Sequence, residues 1–205
     1  AGEWPVVNGG NPIDTLMNAV TLTEQKMPLA KPLDFNRADL GPEYIHIQNP
    51  ISANYMFNGN KLVLKGHGSL SDNNQPTFIG KRQEQVCGNV EFRVHPKNNA
   101  EGGISVYQIN DGHYDFFVKD GRVSLRCKLK NIDYIVKSDK IWSEWINLRV
   151  SYNDKMYKFE YSDDGTSYKS IGELNCSLLS SEVAGGFTGV VTGMYADDGE
   201  VEFAQ

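Results

Sequence analysis

From Tyr44 onward, apolar and polar positions alternate in short runs, and most runs end in Asn, Asp, Gly or Pro. A side chain that changes face at every residue marks a half-buried strand, whereas a helix repeats its apolar positions every three to four residues. The clearest case is Ile146, Leu148, Val150 and Tyr152, each separated by a polar residue. Asn153-Asp154 then turns the chain, and the alternation returns through Tyr157, Phe159 and Tyr161. Asp120-Gly121 lies between runs at 114–119 and 122–128 and predicts a two-residue hairpin turn of type I′. Further runs lie at 44–47, 55–57, 62–65, 77–84, 89–94, 103–109, 168–171, 189–195 and 200–203, the last two joined by Asp197-Asp198-Gly199. Helical spacing is confined to one turn at 178–183, with Ser177 as its cap. About a dozen short strands punctuated by turns predict an all-β fold of two packed antiparallel sheets, a sandwich of jelly-roll type. No internal repeat is visible, which disfavours a propeller.

Residues 1–42 break this pattern. Five of the eight prolines fall there (Pro5, Pro12, Pro28, Pro32 and Pro42), and such density opposes both helix and central strand. Trp4, Val6, Val7, Leu29, Leu33 and Phe35 still call for burial. The segment reads as an extended, proline-rich connector that packs along a surface, with the sandwich at 43–205. A chain of 205 residues buries roughly 70% of its unfolded surface, enough for such a core without metal or disulfide.

Composition narrows the function classes. A formal net charge of −6 argues against nucleic acid, and the one notable basic pair, Lys81-Arg82, sits in a strand run. No apolar run approaches the ~20 residues that span a bilayer, and no leader peptide is visible. Cys87, Cys127 and Cys176 have neither CxxC nor zinc spacing; they allow one disulfide, but three buried thiols in a reducing compartment is the simpler account and favours a cytoplasmic setting. Paired carboxylates would suit a glycosidase, but Glu200 and Glu202 read as a solvent-facing edge, and Glu160 and Asp163 cannot share a face. Asp163-Asp164-Gly165 could hold calcium, yet an Asp-rich segment of this kind reads first as a plain turn. There is no Gly-x-Ser-x-Gly, and His113 reads as a surface or core-edge histidine. Neither a catalytic group, a metal site nor a cofactor emerges.

One loop remains. Gly185, Gly186, Phe187, Thr188 and Gly189 set a single large aromatic among three glycines, directly before an alternating run. Glycine opens backbone conformations closed to other residues, so the loop can bend sharply and aim a side chain. Phe187 is then either a core plug at a tight turn or a finger directed outside the domain.

Several segments, in chain order, resemble the C-terminal domain of two-domain β-xylosidases and α-L-arabinofuranosidases of glycoside hydrolase family 43. Trp4-Pro5-Val6-Val7-Asn8-Gly9-Gly10 resembles the connector that leaves the catalytic domain. Leu40-Gly41-Pro42-Glu43-Tyr44 with Asn49-Pro50 resembles the opening of the sandwich, although Tyr44 stands where the family pattern has Trp. Residues 76–83 resemble an early core strand, and residues 182–189 the glycine-rich loop. The resemblance implies a concanavalin A-like sandwich beside a five-bladed β-propeller of the same polypeptide. The propeller would carry the catalytic carboxylates, act on xylo- or arabino-oligosaccharides, and be touched by Trp4, Pro5, Val6 and Val7. It also implies that Phe187 closes the sugar pocket, favouring the finger over the plug. An independent carbohydrate-binding module is the alternative, with Tyr107, Tyr114, Phe116, Tyr134 and Trp142 as candidate platform residues. A self-sufficient hydrolase would need the missing carboxylate pair.

Overall fold

The alternating runs become strands in a computed structural model that describes residues 4–12, 33–36 and 40–204. Internal contacts divide the chain into two units, Ala1–Lys31 and Pro32–Gln205. In chain order the strands are β1 (Tyr44–His46), β2 (Tyr55–Asn58), β3 (Lys61–Lys65), β4 (Thr77–Arg82), β5 (Gly88–Pro96), β6 (Glu101–Ile109) and β7 (Gly112–Lys119). They continue as β8 (Arg122–Leu129), β9 (Ile132–Lys140), β10 (Ile146–Tyr152), β11 (Met156–Ser162), β12 (Lys169–Asn175), β13 (Val191–Asp198) and β14 (Glu200–Ala204).

Two seven-stranded sheets result, ordered β1-β4-β13-β6-β7-β8-β9 and β12-β11-β10-β5-β14-β3-β2. Every pairing is antiparallel. The sandwich expected from the alternation is the observed fold. β13 and β14 part at Gly199 and enter different sheets, each between strands from the first half of the domain. β13 and β14 are therefore interior strands, one in each layer.

Alternation decides the core. Ile104, Val106, Tyr114, Phe116, Val123 and Leu125 of the first sheet join Leu148, Val150, Phe159, Val201 and Phe203 of the second in one cluster. Phe116 and Tyr114 meet Phe159 edge-on at 5.6 and 6.3 Å, an arrangement the ring quadrupole favours. Polar tips cross between the sheets as well. The Tyr55 hydroxyl donates to Phe78 O at 3.1 Å and accepts from Phe78 N–H at 3.0 Å. The outer face of the first sheet has a smaller core of Leu70, Phe78, Phe117, Val191 and Tyr195. Asp120 and Gly121 have φ of 50° and 67°, the left-handed pair a type I′ turn requires.

Several expectations need correction. The alternation missed β9, an edge strand rich in charge whose pairing with β8 slips at Leu125/Arg126. A bulge breaks the period of two, and charges blunt an edge against further pairing. The 3₁₀ turn runs over Cys176–Leu179, and the Asn175 side chain, not Ser177, caps it by accepting from Ser177 N–H. Cys87 is exposed and Cys127 and Cys176 half-buried, so the three are not buried thiols. β14 is no edge: it lies between β5 and β3, with Val201 and Phe203 in the core. Phe35 and Leu40, within the segment read as connector, are buried in the sandwich core. Leu29 lies outside the described residues.

In the N-terminal unit, Val7–Gly10 forms a short 3₁₀ stretch with positive φ at Asn8, Gly9 and Gly10. Trp4, Pro5, Val6 and Val7 are all exposed, Trp4 at 91%.

Candidate functional site

The chain leaves the 3₁₀ turn with Leu179 buried, and the Ser180 carbonyl accepts from the N–H groups of Val183 and Ala184 at 3.2 and 2.9 Å. Ala184 is wholly buried against Gly112 of β7. A side chain at 112 would stand 2.7 Å from the Ala184 methyl, so the contact needs glycine on one side and a small residue on the other. The two following carbonyls are held from the tips of neighbouring hairpins. Lys130 Nζ donates to Ala184 O, and Gln108 Nε2 donates to Gly185 O at 3.0 Å. On the exit side, Gln83 N–H donates to Val190 O at 2.9 Å.

Between these clamps, Gly185, Gly186 and Gly189 have φ of 97°, 75° and 79°. At Gly186 a Cβ would also come within 2.7 Å of Ile109 Cγ2. Backbone freedom and close approach are thus both required there. The result is a sharp loop that presents Phe187 with 93% of its surface exposed, flanked by exposed Thr188. Phe187 is not a core plug. Exposed Val183 lies on the same loop, and Ile132, Tyr134 and Ile135 lie at the start of β9, just after Lys130.

Carboxylates do cluster, on a face the sequence did not single out. Glu101 of β6 and Asp115 of β7 are 2% and 1% exposed on the outer side of the first sheet. Arg126 of β8 lies between them, forking onto both Glu101 oxygens at 2.8 and 3.2 Å and reaching Asp115 at 3.3 Å. Its guanidinium also lies 4.5 Å over the Phe117 ring. Burial alone would raise the Asp115 carboxyl. The charge and hydrogen bond of His113, with Arg126 and Ser105, outweigh it and hold Asp115 below the usual range.

His113 is 1% exposed rather than a surface residue. Its Nδ1 meets Asp115 Oδ1 at 2.8 Å and its Nε2 meets Ser71 Oγ at 3.1 Å. The connectivity is that of a hydrolytic triad. Here Asp115 is also taken by Ser105 at 2.8 Å and by Arg126, and the imidazole stacks on Tyr107 at 5.8 Å. The three groups tie the 66–76 segment, with buried Leu70, to the sheet. They act as a clamp.

Asp197, at the end of β13, is pushed up to about 6 by burial and then by the charge of Glu101, with Arg126 and Lys119 acting the other way. Because this lies above the ordinary 3.8, the folded state holds the proton more tightly than the unfolded chain. The group thus favours folding below about pH 4, an advantage lost as pH rises through about 6. Asp197→Asn should raise Tm at pH 7–8 by roughly 2–4 °C and lose that gain near pH 4, as thermal melts across pH will show.

Elsewhere polar chemistry is structural. Glu202 faces Lys61, Lys97 and His95 at 3.0, 3.4 and 3.7 Å. Burial works against its charge, but the two lysines prevail and hold it below the usual range. Asp164 accepts from the N–H groups of Thr166 and Ser167 and from Ser162 Oγ, so it serves the turn. Among the described residues no group of three or more His, Cys, Asp or Glu is placed to hold a metal, and no helix is long and apolar enough to cross a membrane.

Known proteins place this architecture. The profile of the β-xylosidase C-terminal concanavalin A-like domain matches residues 33–203. A non-reducing end α-L-arabinofuranosidase of Bacteroides ovatus is 31% identical over 175 residues, covering 80% of this chain and 33% of that protein. The solved Bacteroides ovatus xyloglucan PUL GH43B superposes with a TM-score of 0.77 at 26% identity, covering 87% of this chain and 39% of the other. A family 43 protein of Bacillus licheniformis gives 0.77 at 17% identity, covering 89% and 39%, and so attests the fold. The chain spans about a third of the length of the arabinofuranosidase it matches. With its two seven-stranded sheets and a profile match over most of its length, the chain belongs to the C-terminal concanavalin A-like domain family of the family 43 β-xylosidases.

Proposed function

We propose that this chain is the non-catalytic C-terminal part of a longer family 43 glycosidase that degrades xylan or arabinoxylan. A preceding five-bladed propeller would carry the catalytic carboxylates. The sandwich would steady it and lend Phe187 to the rim of its sugar pocket. The observation that carries this reading is a phenyl ring 93% exposed at the tip of a loop clamped from Gln83, Gln108 and Lys130. A fold gains nothing from holding a large apolar ring rigidly in water, whereas a pyranose offers it an apolar face.

Three further observations support it. Val183, Ile132, Tyr134 and Ile135 extend the exposed apolar surface around the loop, as a docking face for a neighbouring domain would. Trp4, Val6 and Val7 are likewise exposed, as residues of a domain boundary would be without the neighbour. The chain also covers only about a third of its arabinofuranosidase relative, leaving room for a further domain in the same polypeptide. A ring supplied from a second domain makes a pocket blind-ended, which favours release of single sugars over cutting mid-chain.

The test compares hydrolysis of nitrophenyl β-xyloside and α-L-arabinofuranoside by the 205-residue chain and by the polypeptide extended to include the preceding domain. The reading expects turnover from the extended protein alone. Turnover by the isolated chain would overturn it.

A further inference from the structure

We infer that Gln108 is a positioning residue for the reaction proposed above: from a bulge in β6, its buried side chain seats the backbone before Phe187 and so sets where the ring points. The inference rests on that reading of Phe187 and names what holds the ring in register. In the β6–β7 ladder Tyr107 faces His113, yet the next pair is Ile109 and Gly112, so Gln108 is an extra residue. Successive side chains of a regular strand point to opposite faces, and a bulge re-aims one of them. Here two neighbours converge. A Cβ at Gly186 would lie 2.7 Å from Ile109 Cγ2 and 3.2 Å from Gln108 Nε2, so both side chains bear on the residue before Phe187.

The seat itself is firm. On one side of the bulge, the Tyr107 ring meets those of Phe78 and His113 at 5.7 and 5.8 Å. Gln108 is only 4% exposed, and its Nε2 donates to Gly185 O at 3.0 Å. Because a carbonyl only accepts, the amide must turn its nitrogen towards Gly185. Its Oε1 is thereby left buried, and it meets no donor among the described residues.

Burying an unpaired acceptor costs at least as much as one amide hydrogen bond returns. Gln108 thus adds little net stability, and an apolar side chain of the same length would serve the core as well. Such a side chain would not fix the Gly185 carbonyl, which lies in the peptide plane leading to Gly186. Lys130 is a looser guide: it is exposed, it grips Ala184 O one residue further back, and an ammonium on a flexible stem imposes little direction. With left-handed glycines at 185, 186 and 189, an unheld loop would have many conformations open to it. A catalytic pocket gains from a wall group only while that group is held in place.

Backbone nitrogen relaxation of the 205-residue chain and kinetics of the longer polypeptide test this together. Gln108→Met is nearly isosteric and removes both the donor and the orphaned acceptor. It should leave Tm within about 3 °C. Order parameters at Gly186, Phe187 and Thr188 should fall from about 0.8 to below about 0.6. In the longer polypeptide kcat/KM should drop about three- to tenfold. In a Phe187→Ala background the same change should add less than about twofold, because it acts through the ring. Gly186→Ala, which pushes the loop off the same seat, should act in the same direction. Unchanged order parameters, a larger fall in Tm, or a full further loss in the Phe187→Ala background would each overturn the inference. A loosened loop with unchanged kcat/KM, while Phe187→Ala still lowers it, overturns the inference and leaves the pocket reading standing. No effect of Phe187→Ala on kcat/KM removes the pocket reading, and this inference with it.

Discussion

If the chain is part of the longer glycosidase proposed above, Phe187→Ala in that polypeptide is expected to lower kcat/KM for xylo- or arabino-oligosaccharides about 10–100-fold. Burying one phenyl side chain is worth about 1.5–3 kcal/mol. Each 1.36 kcal/mol of lost transition-state stabilisation is about tenfold in rate. The loss should not come from unfolding, because the ring is 93% exposed and such surface substitutions usually stay within about 0.5 kcal/mol. Phe187→Tyr, which keeps a flat ring, should retain most activity. Steady-state kinetics with a thermal melt of each variant would separate the cases. An unchanged kcat/KM in Phe187→Ala would remove the ring from the pocket. A large fall in Tm would make it a structural residue instead.

Arg126→Leu is expected to cost about 3–5 kcal/mol, the usual penalty for leaving buried charge without its partner. The side chain it removes serves two buried carboxylates at once, Glu101 through a two-pronged contact and Asp115 through one, besides the exposed Asp133 at 3.7 Å. Lys119 at 3.3 Å remains for Glu101, and His113 remains for Asp115. Neither replaces the fork, because an ammonium is a point charge and the guanidinium matches both carboxylate oxygens. Urea denaturation should show the loss, and adding Glu101→Gln should recover part of it by removing one stranded charge. A single-variant cost below about 1 kcal/mol would mean that water already screens the cluster.

The sequence made the layers legible because each core strand is apolar on one face only. Ile146, Leu148 and Val150 alternate with Asn147, Arg149 and Ser151, and all three apolar residues are fully buried. β9 escaped because Asp133, Lys137, Asp139 and Lys140 mask its alternation and its pairing slips. The Phe187 loop could be seen because its glycines adjoin one another. What holds it could not: Gln108 reaches Gly185 across 77 positions, and Lys130 reaches Ala184 across 54. Pattern left His113 open between surface and core edge for the same reason, since Ser71 is 42 positions away. Among the candidate platform aromatics, Tyr114 and Phe116 alternate inward and are buried, whereas Tyr134 and Trp142 are exposed. Pattern assigns a face to a residue on a regular strand. It is silent on contacts that depend on how hairpin tips converge.

The most direct measurement is photo-cross-linking from position 187 in the polypeptide that includes the catalytic domain. A photoreactive phenylalanine analogue would replace Phe187, and the linked peptides would be read by mass spectrometry. The account predicts links to residues around the propeller's sugar pocket, diminished when a saturating monosaccharide occupies it. Links confined to the sandwich, or to a propeller surface remote from that pocket, would contradict it.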